Sequence, residues 1–144
     1  MEDKKKIEDF ACEVVMIYCQ HCVKEHEKIA VMAQKSSDFK VKTVMVPCSS
    51  KIEVPNLLKI LEQGVDAVGV IACPQEKCQF LIGSRRAEKR IGYAHGLLEQ
   101  IHISPERLSI TRKSALSAEK VIELAFDRAR AVRPLGPSPM KKGV

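Results

Sequence analysis

Aromatic residues make up only 4% of the 144-residue chain, and tryptophan is absent. Single-stranded nucleic acid is held on aromatic stacking platforms, so it is not an expected partner despite a net charge of +6. Long apolar runs are also missing. The longest are strand-sized, such as Val14 to Tyr18, far short of the roughly eighteen residues of a membrane span. The first residues, Met1-Glu2-Asp3-Lys4-Lys5-Lys6, lead into Ile7-Glu8-Asp9-Phe10 rather than an apolar signal core. Export and membrane insertion are therefore not expected, and the cytoplasm is the expected location. Seven glycines and seven prolines exclude a fibrous or low-complexity chain. There is no G-x-G-x-x-G and no P-loop, so a self-bound dinucleotide has no support. No Ser-His-Asp or paired-carboxylate arrangement stands out, and Ser114 and Ser117 flank a helix start, where serine caps.

What is present suits one small domain with a single core. Three short runs are rich in β-branched residues: Val14 to Tyr18, Val41 to Val46, and Ala67 to Ala72. The first and third are apolar throughout, as strands covered on both faces of a parallel sheet are. Leu108-Ser109-Ile110-Thr111 alternates and reads as an edge strand. Helical spacing fills the gaps. His21 to Gln34 carries Val23, Ile29, Ala30 and Ala33 on one side. Pro55 opens a second helix with Leu57, Leu58 and Leu61 on one face and Gly64 as a stop. A third follows Gly83-Ser84, with Ala87, Ile91, Ala94, Leu98 and Ile101 at steps of four and three. The last follows Ser117 and carries Val121, Ala125 and Arg128 to Val132. Strand and helix alternate four times. That predicts an α/β fold with a mostly parallel four-stranded sheet and helices on both faces. Residues 1–132 form the expected domain. The Pro/Gly-rich tail 133–144 is expected to have no structure alone.

Six cysteines are the unusual feature. Cys19 ends the first strand and Cys22 follows it, as Cys19-Gln20-His21-Cys22. Cys48 ends the second strand, and Cys73 and Cys78 share the loop after the third. The carboxyl ends of parallel strands open on one edge, where such folds bind ligands, so these five thiols are expected on a single rim. Cys12, at the start of the first strand, belongs to the opposite edge. A disulfide framework does not suit a cytoplasmic chain with its own core. Three readings stay open on the residues alone. Structural zinc would be satisfied by four thiolates and would make the chain a binding scaffold. A thiol–disulfide enzyme would use Cys19 and Cys22, but leaves Cys48, Cys73 and Cys78 idle. An iron–sulfur cluster takes four thiolates from dispersed loops and explains most of the count.

The run Cys19-x-x-Cys22, Cys48-Ser49-Ser50-Lys51-Ile52-Glu53, Gln63 to Val68, Cys73-x4-Cys78 and Ala87-Glu88-x-Arg90 resembles the methyl-viologen-reducing hydrogenase delta subunit family. The likeness spans roughly residues 13 to 130 and continues through Leu97-Leu98-Glu99 and Ser104-Pro105-Glu106-Arg107-Leu108. It implies a small Rossmann-like or flavodoxin-like domain holding one [2Fe-2S] cluster. It also implies a non-catalytic electron-transfer subunit, relaying electrons between the catalytic subunit of an oxidoreductase and a heterodisulfide-reductase-like FAD subunit. The chain departs from the family pattern at Cys73-Pro-Gln-Glu-Lys-Cys78-Gln-Phe80, where the family tends to have Cys-His-Pro-Gly-Asp-Cys-His-Tyr. Cys19, Cys22, Cys73 and Cys78 are the first choice of ligands, since each close pair can serve one iron. Cys48 is the fifth candidate.

The remaining polar clusters weigh less. His21 and His26 lie near the first cysteine pair; either could ligate metal, but a solvated or hydrogen-bonding histidine is the commoner case. His95 and His102 have no cysteine companion. Arg85-Arg86 with Lys89-Arg90 begins the third helix just after the cysteine loop. Cations in a first turn oppose the helix dipole. They point to a local anion, an acidic partner surface or a solvated face.

Overall fold

The computed structural model describes residues 12–20, 22–24, 28–29, 39–47, 52–72, 83–113 and 116–139. Strands β1 (Cys12–Cys19), β2 (Phe39–Val46), β3 (Ala67–Ala72) and β4 (Leu108–Arg112) alternate with helices α1 (Val54–Glu62), α2 (Gly83–Gln100) and α3 (Ala118–Val132). The strands form one sheet in the order β2-β1-β3-β4, with every pairing parallel. This is the α/β architecture expected of a Rossmann-like or flavodoxin-like domain.

Side chains alternate across the pleat and so divide the core into two layers. Val14, Met16 and Tyr18 pack with Ala67 and Ile71 beneath Val121, Ala125 and Ala129 of α3. Val15, Ile17, Val68 and Val70 face the other way, against Leu57 and Leu61 of α1 and Ile91, Ala94 and Leu98 of α2. The two central strands are buried along almost their whole length, which is why both read as near-continuous apolar runs. The outer strands read differently for the same reason. β4 alternates, and β2 leaves Val44 and Met45 exposed. The expected helix from His21 to Gln34 lies largely outside the described residues. Of its described positions, Val23 and Ile29 are buried on the α3 side of the sheet.

Local signals set the helix ends. Pro55 occupies the first turn of α1, where a missing N–H costs no hydrogen bond. Gly64 stops that helix at φ 96°, a conformation that glycine enters freely. Ser117 caps α3, its hydroxyl accepting from the Lys120 N–H at 3.2 Å. α2 closes differently. The Ile103 N–H reaches back to Leu98 O at 2.9 Å and the His102 N–H to Glu99 O at 3.1 Å, with His102 at φ 61°. This paired closure turns the chain sharply. It leaves Ile101, expected on the buried face, 54% exposed beyond the helix end, while Ile103 turns into the core.

At the centre of the sheet, Gly69 on β3 lies beside Met16 on β1. A Cβ built there would stand 2.7 Å from the Met16 sulfur. Gly69→Ala therefore forces the end of the Met16 side chain to repack and should destabilise the domain by no more than about 1 kcal/mol, because a thioether chain adapts. Thermal unfolding measures that loss, and Gly69→Ala combined with Met16→Val should recover part of it.

The first half of the tail is docked on the domain. Residues Arg133–Leu135 form a 3-10 turn, and Ser138 is buried against Asp66. Arg107, at the foot of β4, is 2% exposed. Its guanidinium donates to the carbonyls of Asp66 (3.0 Å) and Gly136 (2.8 Å). Both Asp66 oxygens accept backbone N–H groups, one from Glu13 and one from Ser138, each at 2.8 Å. Burial lowers the Arg107 pKa from its ordinary value, while the charge of Asp66 works against that shift. This clamp ties β1, β3, β4 and the C-terminal segment together at the amino edge of the sheet.

Candidate metal centre

The strand order creates a switch point between β1 and β3. From β1 the chain moves outward to β2 on one side, and the later strands build on the other. Ligands of open α/β sheets bind beyond the carboxyl ends at such a point. Cys19 is the last residue of β1, and it pairs in register with Val46 of β2. The chain leaves β2 through Pro47 directly into Cys48, and it leaves β3 through Ala72 directly into Cys73. Cys48, Cys73 and Cys78 themselves lie outside the described residues, as do His21 and His26.

Cys19 and Cys22 are both buried. The segment between them is a tight turn, closed by the Cys22 N–H donating to Cys19 O at 2.9 Å. Two neighbours pin it. On the β2 side, the Gln20 N–H donates to Val46 O at 2.9 Å, and the Cys19 thiol lies 3.8 Å from Pro47 O. On the β4 side, Cys22 O accepts from the Leu116 N–H at 2.8 Å, and the Lys24 N–H donates to Leu116 O at 2.7 Å. The turn is therefore held from both sides before any ligand arrives. Among the described residues, no three His, Cys, Asp or Glu side chains converge as a metal-holding group. A centre built on Cys19 and Cys22 must draw further donors from other loops of this edge. Two soft, buried sulfurs in a fixed turn fit a thiophilic metal or cluster, and carry no hard-oxygen ligand set.

The surroundings add charge and a barrier to water. Tyr18, immediately before Cys19, is buried, and burial raises its phenol above the usual tyrosine range. Arg85 and Arg86 stand exposed in the first turn of α2, which carries no acidic residue. Arg90 donates to Ile52 O at 2.9 Å, tying α2 to the segment that follows Cys48. Arg112 pairs with Glu88. Cys12 sits buried at the opposite end of β1, beside Arg107, and so belongs to the amino edge as expected. His95 is also structural: its Nε2 lies 2.6 Å from Leu108 O, bracing α2 on β4.

Sequence reasoning assigns no role to Arg107 or Asp66. Their only signal is position, since both fall inside the runs Ser104 to Leu108 and Gln63 to Val68.

Residues 14–136 match the family model for the methyl-viologen-reducing hydrogenase delta subunit. The chain belongs to that family. Among its curated relatives is the vhu iron-sulfur subunit of the F420-non-reducing hydrogenase of Methanocaldococcus jannaschii, 31% identical over 101 residues, which cover 70% of this chain and 75% of that protein. The iron-sulfur subunit of the F420-non-reducing hydrogenase of Archaeoglobus profundus is 30% identical over 130 residues, 90% of this chain and 95% of that one. A third relative differs in size. It is one of the subunits of the ferredoxin:CoB-CoM heterodisulfide reductase of Methanosarcina mazei, 23% identical over 124 residues, 86% of this chain but only 16% of that protein. Sequence of the delta subunit kind thus occurs both as a small separate chain and as one portion of a much longer one. Among the described residues of this family member, no helix is long and apolar enough to cross a membrane.

Proposed function

We propose that this chain is the electron-transfer subunit of an oxidoreductase complex and carries one [2Fe-2S] cluster. The observation that carries the reading is the fixed turn of Cys19 and Cys22 at the switch point of the sheet, in a chain of this family. Cys19, Cys22, Cys73 and Cys78 would hold the cluster, with Cys48 as the fifth candidate. When bound, the cluster supplies a one-electron carrier. The protein supplies position: the turn is pinned to β2 and to Leu116, and burial of Cys19, Cys22 and Tyr18 keeps water from the described side of the site. The names of the relatives support this role, since two are iron-sulfur subunits of hydrogenases and the third belongs to a heterodisulfide reductase. They also support partners of two kinds, the catalytic subunit of an oxidoreductase and a heterodisulfide-reductase-like FAD subunit. The portion-of-a-longer-chain relationship in Methanosarcina favours the second, because covalently joined domains work at close range. The chain itself would carry out no substrate chemistry.

Metal content tests the reading directly. Protein purified without oxygen should be brown and contain about two irons and two acid-labile sulfides per chain. Stoichiometric zinc without sulfide would overturn it and make the chain a scaffold. Loss of iron with retention of a reversible Cys19–Cys22 disulfide would favour the thiol-redox reading.

Charge provides a second test. Arg85 and Arg86 lie on the same edge as the thiols and attract an acidic surface. Arg85→Glu with Arg86→Glu should weaken assembly by about tenfold or more while leaving the cluster spectrum unchanged. Co-purification of the complex from its source organism measures this, and equal yields with the charges reversed would show a merely solvated face.

A further inference from the structure

The outer face of the α1–α2 pair runs away from the cysteine edge, yet it is not finished as a solvent face. Tyr93 is 65% exposed and Ile101 54% exposed. Tyr93, Leu97 and Ile101 recur at four-residue steps, which lines them up along one side of α2 and its end. Between the two helices lies a cavity of about 270 Å³, walled by Leu58, Leu61 and, at its rim, Glu62 of α1 and by Leu97, Leu98 and Ile101. Towards the carboxyl edge the same side of α2 continues into Arg86 and Lys89, both exposed. Among the described residues, Arg85, Arg86 and Lys89 make no ion pair. The surface is therefore a groove with an apolar half and a cationic half, running along a helix about 27 Å long.

The helix is bare beside this groove. Gly92 and Gly96 are exposed, and a Cβ added to either meets nothing within 4 Å. Nothing inside the described domain requires glycine there, and mid-helix glycine disfavours the helix relative to alanine. Its effect is to leave the backbone open to close approach from outside.

We propose that this groove is the docking site for an acidic amphipathic helix of a partner subunit. Its apolar face would rest on Tyr93, Leu97 and Ile101, and its carboxylates on Arg86 and Lys89. A second copy of this chain in parallel pairing would set Arg86 and Lys89 against their own counterparts. A helix carrying carboxylates at one end meets no such repulsion. The proposal rests on reading the chain as a docked subunit, and it extends the contact face from Arg86, at the cysteine edge, along α2 to Ile101.

The test uses the native complex from the source organism. Carbodiimide joins Lys89 to any carboxylate in contact with it, and peptide mass spectrometry identifies the joined residue. The expected product links Lys89 to an Asp or Glu in an amphipathic helical segment of another subunit, and it disappears in Lys89→Arg. Gly96→Leu and Leu97→Glu should each lower recovery of that subunit by about tenfold or more. Gly96→Leu should keep or raise the Tm of the isolated chain, since a Cβ there meets nothing within 4 Å, showing that its loss is one of docking and not of folding. A link to a second copy of this chain, no link to another subunit, or full recovery with Gly96→Leu and Leu97→Glu would overturn the proposal. Iron and sulfide are measured on the same samples. Their absence would sink the electron-transfer reading, whereas intact iron with unchanged assembly would sink only the docking groove.

Discussion

Serine at Cys19 or Cys22 should strip the protein of iron and sulfide, lowering both by about tenfold or more and bleaching its visible absorption. Serine oxygen is a harder and more basic ligand than a thiolate, so it holds iron poorly. The surrounding turn cannot compensate by moving. Gln20 is tied to Val46, and Cys22 is tied to Leu116, so the lost sulfur leaves a gap at a fixed position. Cys73→Ser and Cys78→Ser should behave in the same way if each close pair serves one iron. Cys12→Ser is the control. Cys12 stands at the far end of an eight-residue strand, about 23 Å from Cys19, and its replacement should leave iron, sulfide and spectrum intact. Cys48→Ser separates two ligand sets. Bleaching by Cys48→Ser, with iron retained in one of the other four variants, would place Cys48 in the set and remove that other residue from it.

Breaking the clamp at the amino edge should cost about 3–5 kcal/mol, the usual penalty for stranding one partner of a buried pair. In Asp66→Ala, the Arg107 guanidinium keeps its charge at 2% exposure after losing the Asp66 carboxylate beside it. The N–H groups of Glu13 and Ser138 lose their acceptors as well. Asp66→Asn rescues little, because both carboxylate oxygens accept and an amide offers only one. Arg107→Lys keeps the charge, but a single ammonium cannot span the carbonyls of Asp66 and Gly136, which the two guanidinium nitrogens reach together. Against a typical stability of about 5–15 kcal/mol for a whole domain, the loss should show as a fall in Tm of roughly 10 °C. Protease should then cut first near residues 133–139, since the clamp holds Gly136 and Ser138 of that segment. An unchanged Tm in Asp66→Ala would show that the tail is held by other contacts.

Much of the fold was legible because burial leaves a periodic trace. β1 and β3 are covered on both faces and read as unbroken apolar runs. α1 showed its proline start, leucine face and glycine stop, and α3 showed its serine cap. Ile101 was misplaced for a physical reason: helical spacing continues past the point where backbone hydrogen bonds end the helix, and the turn at His102 reassigns the next apolar residue. The docked tail was illegible for another reason. Proline and glycine content describes how a segment behaves alone, whereas Arg107 and Asp66 hold it through backbone carbonyls and N–H groups that nearly every residue possesses.

The candidate site divides along the same line. By itself the sequence determined which residue types could do chemistry, since few groups besides thiolates would be spaced as Cys19-x-x-Cys22, Cys48 and Cys73-x4-Cys78. It also determined that strand ends carry them, because the hydrophobic runs stop at Cys19, just before Cys48 and just before Cys73. Only the tertiary structure decided that β1 lies between β2 and β3, an order that no periodicity encodes. Strand order follows from which faces pack on which helices and from the hand of the crossovers, both long-range matters. That order sets Cys19 at the middle of the rim, between the exits of the strands that lead to Cys48 and Cys73. It also sends Cys12 and the Arg107 clamp to the opposite edge.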